Sequence, residues 1–318
     1  MRAYVIRRVL LLIPTFFLLT LLVFLSVRFL PGDILDTMAG EGQGTQKPTD
    51  RQAIEQMLGL DVPVHVQYGR WLGGLLLRGT LGRSMTEQIP VEEKLLAHLP
   101  VTLELGILGI LIGLLIALPV GIYSALRQDT VGDYAGRSFA IVGLATPDFW
   151  LATMIIIYPA VWWAWMPPLE LVPFSEDPLG HLEMFLLPAL VLGTGLAATT
   201  MRLTRTMMLE VLRQDYIRTA WAKGLKEKVI IVRHAIKNAL IPVVTLIGLQ
   251  LPILIGGSVI LENLFALPGM GRVLLLALTE RDYPIVSGAN LLYCLIVMGG
   301  NLLIDLIYPY LDPRVRYQ

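Results

Sequence analysis

The sequence predicts an all-α integral membrane protein with six transmembrane helices and both termini on the cytoplasmic side. Three observations support this prediction. The 318 residues are 55% hydrophobic and only 16% charged, with a mean hydropathy of +0.67, so one soluble core could not bury their apolar surface. Six apolar runs are long enough to cross about 30 Å of hydrocarbon as helices. Lys and Arg are concentrated in alternate connections between these runs.

The six predicted spans cover residues 9–30, 101–126, 138–162, 184–204, 240–261 and 286–311. Arg2, Arg7 and Arg8 precede the first, as basic residues precede a signal peptide. This apolar run is too long for a signal peptide, and no small-residue cleavage site follows it closely. We therefore interpret it as an uncleaved anchor.

Orientation follows from the distribution of basic residues, because positively charged loops stay in the cytoplasm. A cytoplasmic N-terminus puts sixteen of the 25 Lys and Arg residues on that side, nine of them between 202 and 238. The connection 167–183, with four acidic residues and no Lys or Arg, is then external. Six spans return the C-terminus, with Arg314 and Arg316, to the cytoplasm.

The segment 31–99 between the first two spans is predicted to be external, so the chain divides into 1–99 and 100–318. Thr49 with Gln52 forms a capping-box pattern for a helix that ends at Gly59. The following "YGRWLGGLLLRGTLG" mixes Trp71 with leucines and arginines, which suits a helix or loop at the membrane surface. A packed external subdomain without a specific role is the alternative.

A charged cytoplasmic loop at about 205–239, between spans four and five, is predicted to form two short helices. Asp215 is a candidate N-cap of the first helix, and Gly224 is expected to end it in a left-handed conformation. Ala220 and Gly224, four residues apart, would let a partner approach the backbone. The second helix pairs basic residues with an apolar stripe (Leu225, Val229, Val232 and Ile236). We interpret the loop as a docking element; the alternative is a basic surface resting on anionic lipid headgroups.

Ionisable residues within the spans are candidates for function, because burying charge in lipid is costly. Asp148 follows Pro147 midway through span three, so it is a candidate for the substrate path. The alternative is a structural kink in which Asp148 bonds to a neighbouring helix. Asp305 and Glu104, near span ends, are expected to be interfacial.

The stretch "LFALPGMGRVLLLALTERDYP" between spans five and six predicts a short apolar helix opened by Pro268 and Gly269. It is too short to cross a membrane. One interpretation is a partly inserted external helix that helps to gate the path, and the other is a passive re-entrant filler.

Other functions find little support. The formal net charge is zero, which gives no electrostatic support to nucleic-acid binding. Cys294 is the single cysteine, and the four histidines lack the spacing of metal ligands, so no metal site is predicted. No phosphate-binding G-x-x-x-x-G-K-[ST] motif occurs, and no nucleophile with a base is evident. We therefore expect no catalytic residue and no cofactor in this chain.

Several stretches together resemble permeases of the dipeptide/oligopeptide family of ABC importers. They are, in order, "RRVLLLIP" with "RFLPGD", "LGLDVPVHVQYGRWL", "GTLGRSM", "DYIRTAWAKGL", "RHAIKNALIPVVT", "LENLFALPGMGRVLLLALTERDYPIVSG" and "DLIYPYLDPRVR". Within the loop, "TAWAKG" occupies the place of the EAA motif of such permeases. Thr219 stands where that motif has Glu and Trp221 where it has its second Ala. The external segment after span one is similar to that of the first of two paired permease subunits.

This resemblance implies a transport subunit of a bacterial or archaeal inner membrane, not an enzyme. A second homologous permease would complete the translocation path, two ATPase subunits would bind ATP and Mg²⁺, and an external binding protein would deliver the substrate. The resemblance implies ATPase contacts at the loop through Asp215, Arg218, Thr219, Ala220, Lys223 and Gly224. Peptides are the expected cargo, with nickel, glutathione and oligosaccharides as alternatives. A secondary transporter or channel with a lipid-binding basic loop is the competing function.

Overall fold

The computed structural model describes residues 2–28, 61–168 and 171–311. Within these ranges the regular secondary structure is helical, apart from one isolated bridge between Arg83 and Pro90. The helices are α1 (Arg2–Arg28), α2 (Val64–Gly73), α3 (Val91–Leu126), α4 (Val131–Ala145), α5 (Asp148–Trp163), α6 (Pro178–Leu212), α7 (Asp215–Ala222), α8 (Glu227–Val229), α9 (Lys237–Leu264), α10 (Met270–Thr279) and α11 (Tyr283–Leu311). Wider π-helical turns occupy Gly74–Arg78 and Ile230–Ile236. The predicted features at Thr49, Gln52, Gly59, Arg314 and Arg316 lie outside the described residues.

Five of the described helical stretches are long and apolar enough to cross a membrane, and they correspond to predicted spans one, two, four, five and six. The third predicted span, 138–162, is divided: α4 and α5 meet at a bend of 97° and qualify only as a pair. The break has a local cause. Pro147 lacks a backbone N–H and disfavours helical backbone at Thr146, which is extended with φ −90° and ψ 119°.

Two helices extend at least eight residues beyond a predicted end. α3 begins at Val91 rather than near 101, and Glu92 and Glu93 occupy its first turn. Acidic side chains favour a helix start because they complement the positive end of the helix dipole. α6 continues to Leu212 rather than ending near 204. In both cases the extra turns carry charged residues, which an apolar run excludes.

The described residues form two compact units. The larger contains 100–272, without 169–170, together with 2–9 and 297–311; the smaller contains 10–28, 61–99 and 273–296. In the larger unit α6 packs mainly against α9 and α4. Its core centres on buried side chains of these helices, including Phe185, Leu192, Leu196, Leu254 and Leu261.

In the larger unit, Glu262 near the end of α9 holds the start of α10. Its Oε2 atom accepts a hydrogen bond from the backbone N–H of Gly271 at 2.6 Å and from that of Arg272 at 3.3 Å. The carboxylate thus satisfies N–H groups that have no partner within the first helical turn. The predicted short helix after Pro268 and Gly269 is confirmed, and its proposed gating role stays a prediction.

In the smaller unit, Asp282 fixes the turn that contains "GRSM". Its buried carboxylate accepts hydrogen bonds from the backbone N–H groups of Met85 and Thr86 at 3.0 and 3.3 Å, and also from the hydroxyl of Ser84. Elsewhere in this unit α2 packs on α1, where the hydroxyl groups of Tyr68 and Thr20 lie 2.9 Å apart.

Candidate functional site

The first helix of the charged loop, α7, runs from Asp215 to Ala222. Asp215 is its first helical residue and Gln214 precedes it as the cap, without a capping side-chain hydrogen bond. The prediction that Asp215 is the N-cap is therefore wrong by one residue. Its carboxylate instead accepts a hydrogen bond from Arg218 Nη1 at 3.2 Å, one turn along the helix, where Thr219 also bonds back to the Asp215 carbonyl. This acidic group still complements the helix dipole.

The turn after α7 depends on Gly224, whose φ is +73°. The prediction of a left-handed residue here is confirmed. Glycine adopts this conformation without the steric cost that a Cβ imposes on other residues. Apart from its two chain neighbours, a Cβ built on Gly224 would meet no atom of the described residues within 4 Å, so the surface outside the turn is open.

One face of α7 is packed against the chain itself. Ile217 and Ala220 are buried, at 1% and 6% exposure. They belong to a cluster with Ala125 at the end of α3, Met208 of α6, and Ile230, Ala235 and Ala239 of the following segment. Ala220 therefore does not share an open face with Gly224, which lies beyond the helix end. The side chain of Ala220 is covered by this chain itself, and a partner contact at this position stays a prediction.

The opposite face of the loop is exposed. Asp215, Arg218 and Thr219 of α7, with Lys223 and Gly224 of the turn after it, are all exposed, and we call these five residues the loop surface. Trp221 is also exposed, at 49%, and it is not among the site residues predicted from the sequence. A large aromatic side chain left exposed beside charged residues is typical of interface anchors.

The second part of the loop is not a separate helix. α8, the π-helical turn Ile230–Ile236 and α9 follow one another directly, so the loop continues into the fifth span. Ile230 and Ala235 form its buried side, while Val232 of the predicted apolar stripe is 56% exposed. The prediction of two short helices is therefore correct for the first and wrong for the second.

A buried ion pair lies beside the loop. Asp133 in the first turn of α4 is fully buried, and Arg205 of α6 donates to both of its carboxylate oxygens. The backbone N–H of Asp129 donates a further hydrogen bond to Asp133 Oδ2 at 3.1 Å. Charge-assisted pairs with two parallel hydrogen bonds are geometrically specific. The pair fixes α6 about two turns before this helix ends at Leu212.

A cavity of about 520 Å³ lies among α4, α5, α6 and α9, within the larger unit. Asp148, the first residue of α5, lines it from the broken span. Three further polar residues line it, namely Thr146, Thr199 and Gln250. Gln250 was missed from the sequence, although a single amide in the apolar run "LIGLQLPILIG" is a visible signal.

The other predicted intramembrane acids have partners. Glu104 Oε1 lies 2.6 Å from Nε2 of His181, whose Nδ1 is 2.7 Å from the Val172 carbonyl. Asp305 forms an ion pair with Arg8, with 3.3 Å between Oδ1 and Nη2. Across the described ranges no group of three or more His, Cys, Asp or Glu residues has the arrangement of a metal site.

Two sequence families match this chain. Residues 117–317 match the family described as "Binding-protein-dependent transport system inner membrane component", and residues 1–106 match its N-terminal counterpart, "Binding-prot-dependent transport system membrane comp, N-term". The two matches together span almost the whole sequence.

Similar proteins align over their full length. The chain is 40% identical over 317 residues to a putative peptide transport system permease protein of Brucella abortus (strain 2308), with all of both chains covered. It is 38% identical over 341 residues to the dipeptide transport system permease protein DppB of Escherichia coli (strain K12), again with both fully covered. It is 38% identical over 320 residues to the oligopeptide transport system permease protein AppB of Bacillus subtilis (strain 168), with the same full coverage.

A solved structure shares the fold. The chain superposes with a TM-score of 0.54 on a structure described as "Crystal structure of an amino acid ABC transporter with histidines", covering 69% of this chain and 94% of that one. The sequence identity is 14%, so this likeness concerns the arrangement of helices alone.

Proposed function

This chain belongs to the family of binding-protein-dependent transport system inner membrane components, and on that premise we propose that it forms half of the translocation path of an ATP-driven importer of di- or oligopeptides. The observation that carries this proposal is the full-length similarity, at 38–40% identity, to three permeases whose names specify peptides. As a membrane component of such a system, the chain is a transport subunit and not an enzyme. It needs no cofactor of its own.

The partners follow from the same proposal. An external binding protein delivers the peptide, a second homologous permease completes the path, and two ATPase subunits bind ATP and Mg²⁺. ATP-driven closure of the ATPases is then transmitted to the helices as a rigid-body switch between outward-open and inward-open states. The division of the chain into an N-terminal part, 1–99, and a permease part, 100–318, stays a prediction.

We assign the ATPase contact to the loop surface. Asp215, Arg218, Thr219, Lys223 and Gly224 are exposed, and the Cβ position of Gly224 is open. Ala220 contributes to the coupling indirectly, because it packs α7 against the cluster around Met208. Trp221, which is also exposed, is added to the proposed contact.

The proposed orientation has both termini in the cytoplasm and the loop on the same side. The Arg8–Asp305 ion pair supports this, because it joins the first turns of α1 to the last turns of α11. The cluster containing Ala125 and Met208 supports the proposed position of the loop, because it brings the ends of α3 and α6 to the loop. Positively charged residues of the loop favour the cytoplasmic side.

Co-purification tests this function. The tagged chain is extracted in mild detergent from its own host, and the mass of the intact assembly is measured. We expect a second permease and ATPase subunits in fixed stoichiometry, with ATP-dependent uptake of trialanine after reconstitution together with the binding protein. A homo-oligomer that contains no ATPase and transports without ATP would overturn the importer proposal and favour a secondary transporter or channel.

A further inference from the structure

The carboxylate of Asp148 has no hydrogen-bond or ion-pair partner within the part of the chain that the structure describes. It is partly buried at the first position of α5, immediately behind the break at Pro147. An ionisable group in a membrane segment normally pairs with another group of the bundle. The kink interpretation, in which Asp148 bonds to a neighbouring helix, is therefore not supported by its contacts.

Glycines keep the space around this carboxylate open. A Cβ built on Gly195 of α6 would lie 3.5 Å from Asp148 Oδ1, and one built on Gly257 of α9 would lie 3.9 Å from Oδ2. Any larger side chain at either position would extend into the region that the carboxylate faces. The two neighbouring helices thus leave Asp148 accessible from the cavity.

A second polar group lines the same cavity without a partner. Gln250 of α9 is only 7% exposed, and its Nε2 amide group makes no hydrogen bond to the described residues. A buried N–H donor without a partner costs free energy, so a bound group that accepts from it would be favoured. Gln250 therefore supplies a donor where Asp148 supplies a negatively charged acceptor.

The rest of the lining is mainly apolar. Leu192, Leu196 and Leu254, all buried, contribute to the wall. A volume of about 520 Å³ lies within the range of small-molecule sites, which are typically apolar with a few fixed polar groups. An apolar wall also raises the strength of any charge interaction made inside the cavity.

We propose that this cavity binds the free amino terminus of a peptide, with its ammonium group on Asp148 and a nearby peptide carbonyl accepting from Nε2 of Gln250. This inference rests on the proposed peptide cargo and adds a recognition element within the membrane. A primary ammonium carries one positive charge and several N–H donors, so it neutralises one unpaired carboxylate. The apolar walls accommodate side chains of different shapes without selecting among them.

The test measures protection of an introduced thiol in the assembled complex, without the binding protein, so that only the membrane part selects. Thr199→Cys places the thiol in the cavity wall, and Cys294→Ser removes the native one. The rate of modification by neutral methyl methanethiosulfonate is measured at increasing concentrations of trialanine or N-acetyl-trialanine. Acetylation removes the ammonium charge and leaves the rest of the peptide unchanged.

Trialanine should slow the modification, and N-acetyl-trialanine should require about tenfold or more higher concentration, as expected when a charge-assisted hydrogen bond is removed. Asp148→Asn should abolish the difference between the two peptides. Glu280→Gln, the same chemical change at an exposed carboxylate, should preserve it.

Equal protection by both peptides, or no protection by either, would overturn this subsite. That comparison uses the Asp148-containing protein, so it decides the question even where Asp148→Asn does not assemble. Protection by sodium ions alone would also overturn it and make Asp148 an ion site. Co-purification of the ATPases and ATP-driven uptake of trialanine test the importer function separately, and they would survive the loss of this subsite.

Discussion

The Asp133 carboxylate and the Arg205 guanidinium form a bidentate ion pair, with Arg205 Nε donating to Oδ1 at 2.7 Å and Nη2 donating to Oδ2 at 2.8 Å. Asp133 is fully buried, and the Arg205 side chain is 18% exposed. The pair therefore joins α4 to α6. Both charged groups are largely shielded from water, so hydration cannot readily replace the interaction. Its loss should affect folding before it affects any partner contact.

Asp133→Asn should lower the midpoint of thermal unfolding of the detergent-purified protein by several degrees. Removing one member of a buried pair costs about 3–5 kcal/mol, because the remaining charge is left uncompensated. Asp215→Asn, which breaks only the exposed pair with Arg218, is the matched control and should leave the midpoint unchanged. Equal midpoints for the two variants would contradict a stabilising role of the Asp133–Arg205 pair.

Ala220→Leu should destabilise the loop although the change is apolar. The residue is packed among Ile217, Met208 and Ala235, and adding a larger side chain to a filled core costs about 1–3 kcal/mol. Protease cleavage between α7 and α8 should therefore become faster. Trp221→Ala, at the exposed neighbouring position, should leave cleavage unchanged and weaken only the ATPase contact; the opposite result would argue against the assigned faces.

Gly224→Glu should abolish co-purification of the ATPases, while the thermal midpoint falls only modestly because glutamate is strained at a φ of +73°. A Cβ at this position meets none of the described residues beyond its chain neighbours, so the new side chain carries bulk and charge into the loop surface. Gly224→Asn is the control, since asparagine tolerates a φ of +73° better than other residues with a side chain. We expect it to retain much more ATPase than Gly224→Glu. Normal ATPase recovery with Gly224→Glu would contradict the proposed contact.

Gly271→Ala and Gly299→Ala should have opposite effects on stability. A Cβ at Gly271 would lie 2.5 Å from the Cα atom of Val259, so the start of α10 would have to move, at a cost of about 1–3 kcal/mol. A Cβ at Gly299 in α11 meets no other side chain or segment within 4 Å among the described residues, and alanine is favoured over glycine in a helix by about 0.5–1 kcal/mol. The midpoints of thermal unfolding of both variants, compared with that of the unaltered protein, test these opposite effects. Equal shifts would show that contact at Gly271 does not limit stability.

The orientation of the chain can be tested with single cysteines in a Cys294→Ser background. With a membrane-impermeant maleimide applied to intact cells, Glu176→Cys should react and Lys223→Cys should react only after the cells are opened. Both positions are exposed in the described structure. Reaction of Lys223→Cys in intact cells would reverse the proposed topology.

The spans were predictable because an apolar run of sufficient length has few alternatives in a membrane. The early start of α3 was not, because Glu92 and Glu93 interrupt hydropathy while favouring helix initiation. Pro147 signalled a disturbance in the third span, but the 97° bend depends on how α4 and α5 pack on α6. Local chemistry therefore identified the elements, and packing determined their ends and angles.

The residues of the candidate site show the same distinction between what local chemistry predicts and what packing determines. Gly224 was predictable, because a turn after a helix commonly needs a left-handed residue. The burial of Ala220 was not, since spacing along α7 does not reveal which face meets Met208. Asp148 was visible as a charge in an apolar run, whereas Gln250 became a candidate only once both side chains were found in one cavity.

The direct continuation of the loop into the fifth span has a mechanical consequence. From Glu227 to Gln250 the backbone is helical throughout, which makes a rod about 35 Å long. One end of this lever carries the loop, and the other carries the amide in the cavity. A push at the loop end would tilt the rod and displace Gln250, while Asp148 stays on a different helix behind the break. This tilt would then separate Gln250 from Asp148, the two groups proposed to hold a peptide. Opening of the translocation path and release of the peptide would therefore occur in one movement.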